Sequence, residues 1–181
     1  MVSSKTDSEL LASVARKDKA ALKELYHRHY DTLYRFAYSH CKDEHEASDI
    51  VQETMVAVWQ TADKFSGRSA VRSWMFSIAR NKAIDLRRKL GRMDLTDQQH
   101  EQVDDAPDAQ SIVAASQDAE RVRACIDKLS DSHRRVVHFA FFEDLPYGEI
   151  GDIENAAVGT IKTRIFHAKK LLMQCLGSFH L

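Results

Sequence analysis

With only 2 prolines and 6 glycines in 181 residues, the chain lacks the punctuation that many short strands and tight turns require. Clean apolar-polar alternation is also scarce, while Ala, Leu, Arg, Lys, Glu and Gln are abundant, so helices are expected over sheets. Its 3 cysteines, Cys41, Cys125 and Cys175, are odd in number and far apart. They argue against a disulfide framework or a CxxC metal knuckle and for a reducing, cytoplasmic setting. No apolar run nears the ~20 residues that span a bilayer, and the start Met1-Val2-Ser3-Ser4-Lys5-Thr6-Asp7 lacks the apolar stretch of a signal peptide. P-loop, GxGxxG, HExxH and nucleophile-elbow patterns are missing too, which leaves catalysis to scattered His and Cys and argues against an enzyme.

What the chain does have is charge that changes sign along its length. The formal net charge is -1, but residues 1–93 hold 17 Lys and Arg against 12 Asp and Glu. Residues 94–120 hold 8 acids and no Lys or Arg, and residues 121–181 hold 9 bases against 7 acids. Two mildly basic modules flank an acidic connector. The connector, broken by Pro107, is too polar to offset its own ordering entropy. The expected architecture is therefore all-α: two small helical domains, over residues 1–93 and 119–181, joined by a flexible acidic linker over 94–118.

Within the first module one helix carries Leu22, Leu25, Tyr26 and Tyr30 and continues to Leu33, Phe36 and Ala37. The next begins near Glu46 and repeats Val51, Met55, Val58 and Ala62 on one face. A third, over about 70–90, is apolar in its first half (Val71, Trp74, Met75, Ile78, Ala79) and basic in its second. After the connector, residues 119–129 suit a helix with Val122, Cys125, Ile126 and Leu129 on one side. Ser130 and Asp131 can cap the next, which carries Val136, Val137, Phe139, Ala140 and Phe142. Beyond Pro146, helices over about 147–153 and 158–176, with a tight connector at Asn155, make a helix-turn-helix pattern.

Three stretches carry chemistry. In the last helix Ile161, Ile165, Ala168 and Leu172 form an apolar seam, leaving Lys162, Thr163, Phe166, His167, Lys169 and Lys170 on other faces, with no acid beyond Gly159. A helix that reads a major groove needs this division, an apolar side to lock on its partner and donors for phosphates and base edges. A solvated basic face on a core helix has the same pattern. Residues 80–92 hold six bases against one acid and follow the aromatic-bearing segment Phe65-Ser66-Gly67-Arg68-Ser69-Ala70-Val71-Arg72-Ser73-Trp74-Met75-Phe76. Cations beside aromatics suit single-stranded nucleic acid, although Trp74 and Phe76 also sit at core spacing with Ile78. Asp49-Ile50-Val51-Gln52-Glu53-Thr54 opens an amphipathic helix with Asp49, Gln52, Glu53 and Gln60 outward, in isolation an ordinary solvated face. His40, Cys41 and His45 are ligands by type, but their polar helix-end setting favours a structural role, so no metal or cofactor is expected.

These segments, in this order, resemble the extracytoplasmic-function group of sigma-70-family factors over residues 22–92 and 119–176. Asp49 to Thr54 looks like the group's DxxQET stretch, which implies that Asp49, Gln52 and Glu53 bind the β′ clamp helices of core RNA polymerase. Phe65, Ser66, Gly67, Arg68, Ser69 and Arg72 resemble the loop that captures a flipped minus-ten base. Trp74 with Ile78-Ala79-Arg80-Asn81 resembles the helix behind that loop, which implies that Asn81, Lys82, Asp85 and Arg88 face the promoter. Leu145-Pro146-Tyr147-Gly148-Glu149-Ile150 and Val158 to Ile165 resemble the minus-thirty-five reader, with Thr160, Lys162, Thr163, Arg164, Phe166, His167 and Lys170 as its DNA-facing residues.

The resemblance implies core polymerase (β′ clamp helices and β flap), promoter DNA and an anti-sigma factor as partners, and promoter recognition, DNA opening and initiation as the activity. Among three departures, Gly151 replaces the usual alanine, and Glu154-Asn155-Ala156-Ala157 replaces leucine, glycine, isoleucine and proline at the turn. Asn155 can still take the left-handed conformation. His167 stands where an arginine is common, which implies a shifted sequence preference. The acidic linker suits either a nucleic-acid mimic in the polymerase's cationic channels or a plain tether. The rival reading is a freestanding helix-turn-helix regulator, which would bind duplex DNA without polymerase and gives no role to Asp49, Gln52 and Glu53.

Overall fold

The computed structural model describes residues 5–93 and 113–177, so most of the expected 94–118 linker lies outside the described residues. Among the described residues every regular element is helical. α1 (Asp7–Ala15) opens on Thr6, which accepts from the Glu9 amide while Glu9 accepts from the Thr6 amide at 2.7 Å, a capping box. The sequence expectations omit this helix, although Thr6-x-x-Glu9 ahead of Leu10, Leu11 and Val14 is its signature. Asp18 caps α2 (Lys19–Cys41) and Asp43 caps α3 (Glu44–Thr61), each accepting from amides that have no partner within the helix. A 3-10 turn (Ala62–Lys64) and a short loop lead to α4 (Val71–Met93).

The second module begins with α5 (Val113–Asp127), ahead of the expected start at residue 119. Ser130 caps α6 (Asp131–Val137), as expected. α6 runs into a π-helical turn (His138–Phe142), then α7 (Tyr147–Glu154) and α8 (Val158–Gly177).

The two modules share one core. Leu10, Leu25, Leu33, Val51, Val58, Met75 and Ala79 are buried together in the first, and the same apolar cluster continues into Val136, Phe139, Ile150, Ile153 and Ile161 of the second. Phe139 joins them. Its ring stacks on Phe36 of α2 at 5.0 Å and meets Phe76 of α4 edge-on at 5.2 Å, and all three side chains are fully buried. The π turn sets this up: the Glu143 amide reaches back to the His138 carbonyl at 3.2 Å, and the widened turn splits the aromatic run. Phe139 points inward, while Phe141 and Phe142 are 53% and 60% exposed. Phe142, read from the sequence as part of the same helix, lies outside the core.

Cys125 and Cys175 form a disulfide across α5 and α8, with Cα atoms 5.8 Å apart. This overturns the expectation of unpaired cysteines. A separation of 50 residues conceals the pair in sequence, because the return of α8 past α5 is what brings the two together. Cys41 remains a thiol.

Truncating the bridging ring should affect both modules at once. Phe139→Ala is expected to cost about 3–5 kcal/mol. Urea unfolding should show that cost together with loss of a single coincident transition; two unchanged transitions would deny the shared core.

Candidate nucleic-acid interface

The helix-turn-helix is formed by α7 and α8. Asn155 takes the left-handed conformation at φ 50°, ψ 50°, as the sequence suggested, and the following Ala156 amide closes on the Gly151 carbonyl at 2.9 Å. Gly151 has a reason beyond helix propensity: a Cβ there would lie 2.8 Å from the Ala156 carbonyl oxygen. Ile161, Ile165 and Ala168 of α8 are buried against the module. Thr160, Lys162, Thr163, Phe166, His167 and Lys170 are all exposed on the other side. The Thr163 hydroxyl donates to the Gly159 carbonyl at 3.0 Å, and Lys169 lies over the Phe141 ring at 5.1 Å. α8 contains no carboxylate, so its outer face presents donors and one apolar ring, the surface a major groove accepts.

Arg164 departs from this set. It is half-buried and lies 3.6 Å from Glu154. Glu154 is 4% exposed and also accepts from Arg135 at 2.7 and 2.9 Å and from Arg80 of α4 at 3.1 Å. The turn position where the resemblance expects leucine thus holds a buried carboxylate with three guanidinium groups around it, one from the other module. A buried charge is tolerated only with such partners.

In the first module the loop before α4 places Ser66, Gly67 and Arg68 on the surface, with Gly67 at φ 71°. Phe65 is half-buried against Trp74 at 5.3 Å, and Ser69 is half-buried. Asn81, Asp85 and Arg88 are exposed along α4, and half-buried Lys82 pairs with Glu53 at 3.1 Å. That contact sets the α4 face beside Asp49, Gln52 and Glu53, all exposed on α3 next to Val56, itself 55% exposed.

Arg72 is not free. It pairs with buried Glu143 of the π turn, which also lies 3.8 Å from Arg35 and 3.4 Å from His138. Ser73 donates to Glu149 of α7, Arg87 pairs with Asp131, and Lys42 pairs with Asp127 at 2.6 Å. The structure therefore brings the α3 and α4 sets together, holds the α8 set apart, and ties Arg72 and Arg164 to acids. The Glu143 and Glu154 clusters were not singled out in the sequence, because their first-module partners Arg72 and Arg80 lie 71 and 74 residues away. The one signal was Glu154 in place of an apolar turn residue.

The His40, Cys41 and His45 trio does not converge, and no group of metal-ligating side chains is present among the described residues. His40 is buried at the seam between modules, its Nδ1 2.7 Å from the Phe36 carbonyl and its ring 4.4 Å from the Phe36 ring. Cys41 turns to the Ala37 carbonyl at 3.2 Å. No helix among the described residues is long and apolar enough to cross a membrane.

Comparison with known proteins follows the same division. Residues 25–93 match the family model described as Sigma-70 region 2, and residues 119–172 match that described as Sigma-70, region 4. The ECF RNA polymerase sigma factor RpoE of Cereibacter sphaeroides is 32% identical, over 95% of this chain and 96% of its own. CnrH, solved in complex with the cytosolic domain of CnrY, superposes with a TM-score of 0.72 at 26% identity, over 95% of this chain and 97% of its own. The sigma factor RpoE of Bartonella quintana, solved with the anti-sigma factor NepR, gives 0.71 at 27% identity, over 86% and 96%.

Acid should loosen the seam. Burial pushes the His40 pKa down from 6.5 to about 3. Burial also works to raise the Glu143 carboxyl, but His138 and Arg72 outweigh it and hold that group below its usual 4.5. Both folded values lie below the unfolded ones, so the unfolded chain takes up protons first as pH falls. Stability is full above about 6.5 and declines below it through His40, by up to about 1.4 kcal/mol per pH unit, with Glu143 joining below about 4.5. Urea unfolding across pH 7 to 5 should show this decline, and His40→Gln should flatten it; an unchanged slope in that variant would place the effect elsewhere.

Proposed function

Because the chain belongs to the sigma-70 family of transcription initiation factors, in its extracytoplasmic-function group, we propose residue roles for the surfaces described above. The protein is an alternative sigma factor that binds core RNA polymerase and directs promoter recognition, DNA opening and initiation. Asp49, Gln52 and Glu53 dock on the β′ clamp helices. Phe65, Ser66, Gly67, Arg68, Ser69 and Arg72 take the flipped minus-ten base, with Asn81, Lys82, Asp85 and Arg88 along the opened strand. Thr160, Lys162, Thr163, Arg164, Phe166, His167 and Lys170 read the minus-thirty-five duplex, and the second module also meets the β flap. The chain does no covalent chemistry of its own in this reading.

The observation that carries the assignment is the acid-free outer face of α8, held on a module separate from the α3 and α4 faces. A freestanding regulator has no use for that second pair of faces. CnrH and the Bartonella RpoE were solved with CnrY and the anti-sigma factor NepR, which supports control of this chain by an anti-sigma factor. The seam adds a requirement. Arg72 and Arg164 reach DNA only by exchanging Glu143 and Glu154 for phosphates, so promoter engagement competes with the docked arrangement.

Core polymerase mixed with this chain and a promoter template should initiate specifically, and should not when the chain is omitted. Lys162→Ala with His167→Ala should weaken binding of a minus-thirty-five duplex by about tenfold or more, at about 1–3 kcal/mol per lost base-edge contact, while core binding stays intact. Loss of core binding in that variant would reverse the module assignment, and absence of any core binding by the parent chain would sink the reading.

A further inference from the structure

A cleft of about 320 Å³ lies at the seam between the modules, a volume at the lower end of small-molecule sites. The first module supplies His40 of α2 and, from α4, Ala83, Ile84, Arg87 and Arg88; the second supplies Asp131 and Arg135 of α6. His40 is the buried polar group of this lining, 5% exposed. Its Nδ1 lies 2.7 Å from the Phe36 carbonyl oxygen. A carbonyl only accepts, so the ring proton is on Nδ1 and Nε2 keeps a lone pair. Burial holds the ring in this neutral form. Nε2 has no hydrogen-bond partner among the described residues, and a buried acceptor left so is destabilising. It calls for a donor from a molecule in the cleft.

The rest of the lining calls for an anion. Three guanidinium groups and one carboxylate share it, an excess of two positive charges. A phosphomonoester carries about that much negative charge near neutral pH, and arginine is the side chain best shaped to hold it. Arg87 reaches across the cleft to pair with Asp131 of the other module. Arg135 commits Nε and Nη2 to Glu154 at 2.7 and 2.9 Å, which orients its guanidinium and leaves Nη1 for a further acceptor. Ala83 and Ile84 add an apolar wall for a carbon skeleton. A DNA backbone phosphate meets only half of these demands, because a phosphodiester strand has no hydroxyl along its length to offer His40.

We propose that this cleft binds a small phosphomonoester that carries a hydroxyl group, with Arg87 and Arg135 on the phosphate and His40 Nε2 accepting from the hydroxyl. The ligand bridges α2 and α4 to α6, so it binds the docked arrangement and not a separated one. By mass action it then favours the docked form, in which Arg72 and Arg164 are held by Glu143 and Glu154. The ligand is thus a negative effector of promoter engagement. That consequence rests on the sigma reading above; the binding itself does not.

The test titrates the full chain, labelled with nitrogen-15, with ribose 5-phosphate as the probe. Binding should saturate at one molecule per chain, and the His40 Nε2 resonance should move with saturation. Ribose should bind at least tenfold more weakly. Arg87→Gln, a change at an exposed side chain, should weaken the sugar phosphate at least tenfold, whereas Lys23→Gln, an equal charge loss on the exposed side of α2, should not. Absence of saturation, a stationary His40 resonance, or equal losses in the two variants would overturn the proposal. So would an oligodeoxynucleotide that moves the His40 resonance as far as the sugar phosphate does, since that result assigns the cleft to DNA. Core-dependent initiation should fall as the probe saturates, and undiminished initiation would overturn the effector role. Initiation that fails without any probe would sink the sigma reading and leave the binding result standing.

Discussion

The stack of Phe139 on Phe36, with Phe76 against its edge, is the contact on which the rest of the arrangement depends. A ring contributed by the second module fills the centre of the first, so the modules cannot separate without exposing it. The transfer of a phenylalanine out of water stabilises by about 1.5–3 kcal/mol, and its close packing adds to that. It also decides what surrounds it. Glu143 and Glu154 are carried to the rim of the same seam, where burial would make a lone carboxylate untenable. Arg35, Arg72 and Arg80 from the first module and Arg135 and Arg164 from the second are there to meet them.

The consequence for the surfaces is a division of labour among cations. Those on the outside of α8 and along α4 keep their donors toward solvent or toward weak, exposed partners such as the Asp85–Arg88 pair at 3.6 Å. Those at the seam are committed. An ion pair among exposed side chains is worth little, and exchanging it for a phosphate is easy. One around a buried carboxylate resists exchange, since removing either partner strands the other. The docked form therefore commits Arg72 and Arg164 to buried acids, while Lys162, His167 and Lys170 stay exposed.

Much of this was legible in the sequence. The periodicity of Val51, Met55 and Val58 located α3, the apolar-then-basic pattern located α4, and Asn155 marked the turn before α8. These are local signals, written within a few residues of one another. What escaped was of two kinds. α1 was missed although its capping box was present, because its apolar positions are few and its helix short. The Phe139 bridge, the Glu143 and Glu154 clusters and the Cys125–Cys175 pair could not be found by local reading at all, since each joins residues dozens of positions apart. Spacing also misled: three widely separated cysteines argued against a disulfide framework, although Cys125 and Cys175 pair.

Glu154 bears on whether such modules can be exchanged between proteins. A chimera that joined this first module to a second one with leucine at the turn would leave Arg80 facing hydrocarbon. The converse chimera would bury a carboxylate short of one of its three cations. Each half meets the electrostatic needs of the other, so portability of either module is limited by a single side chain in a turn.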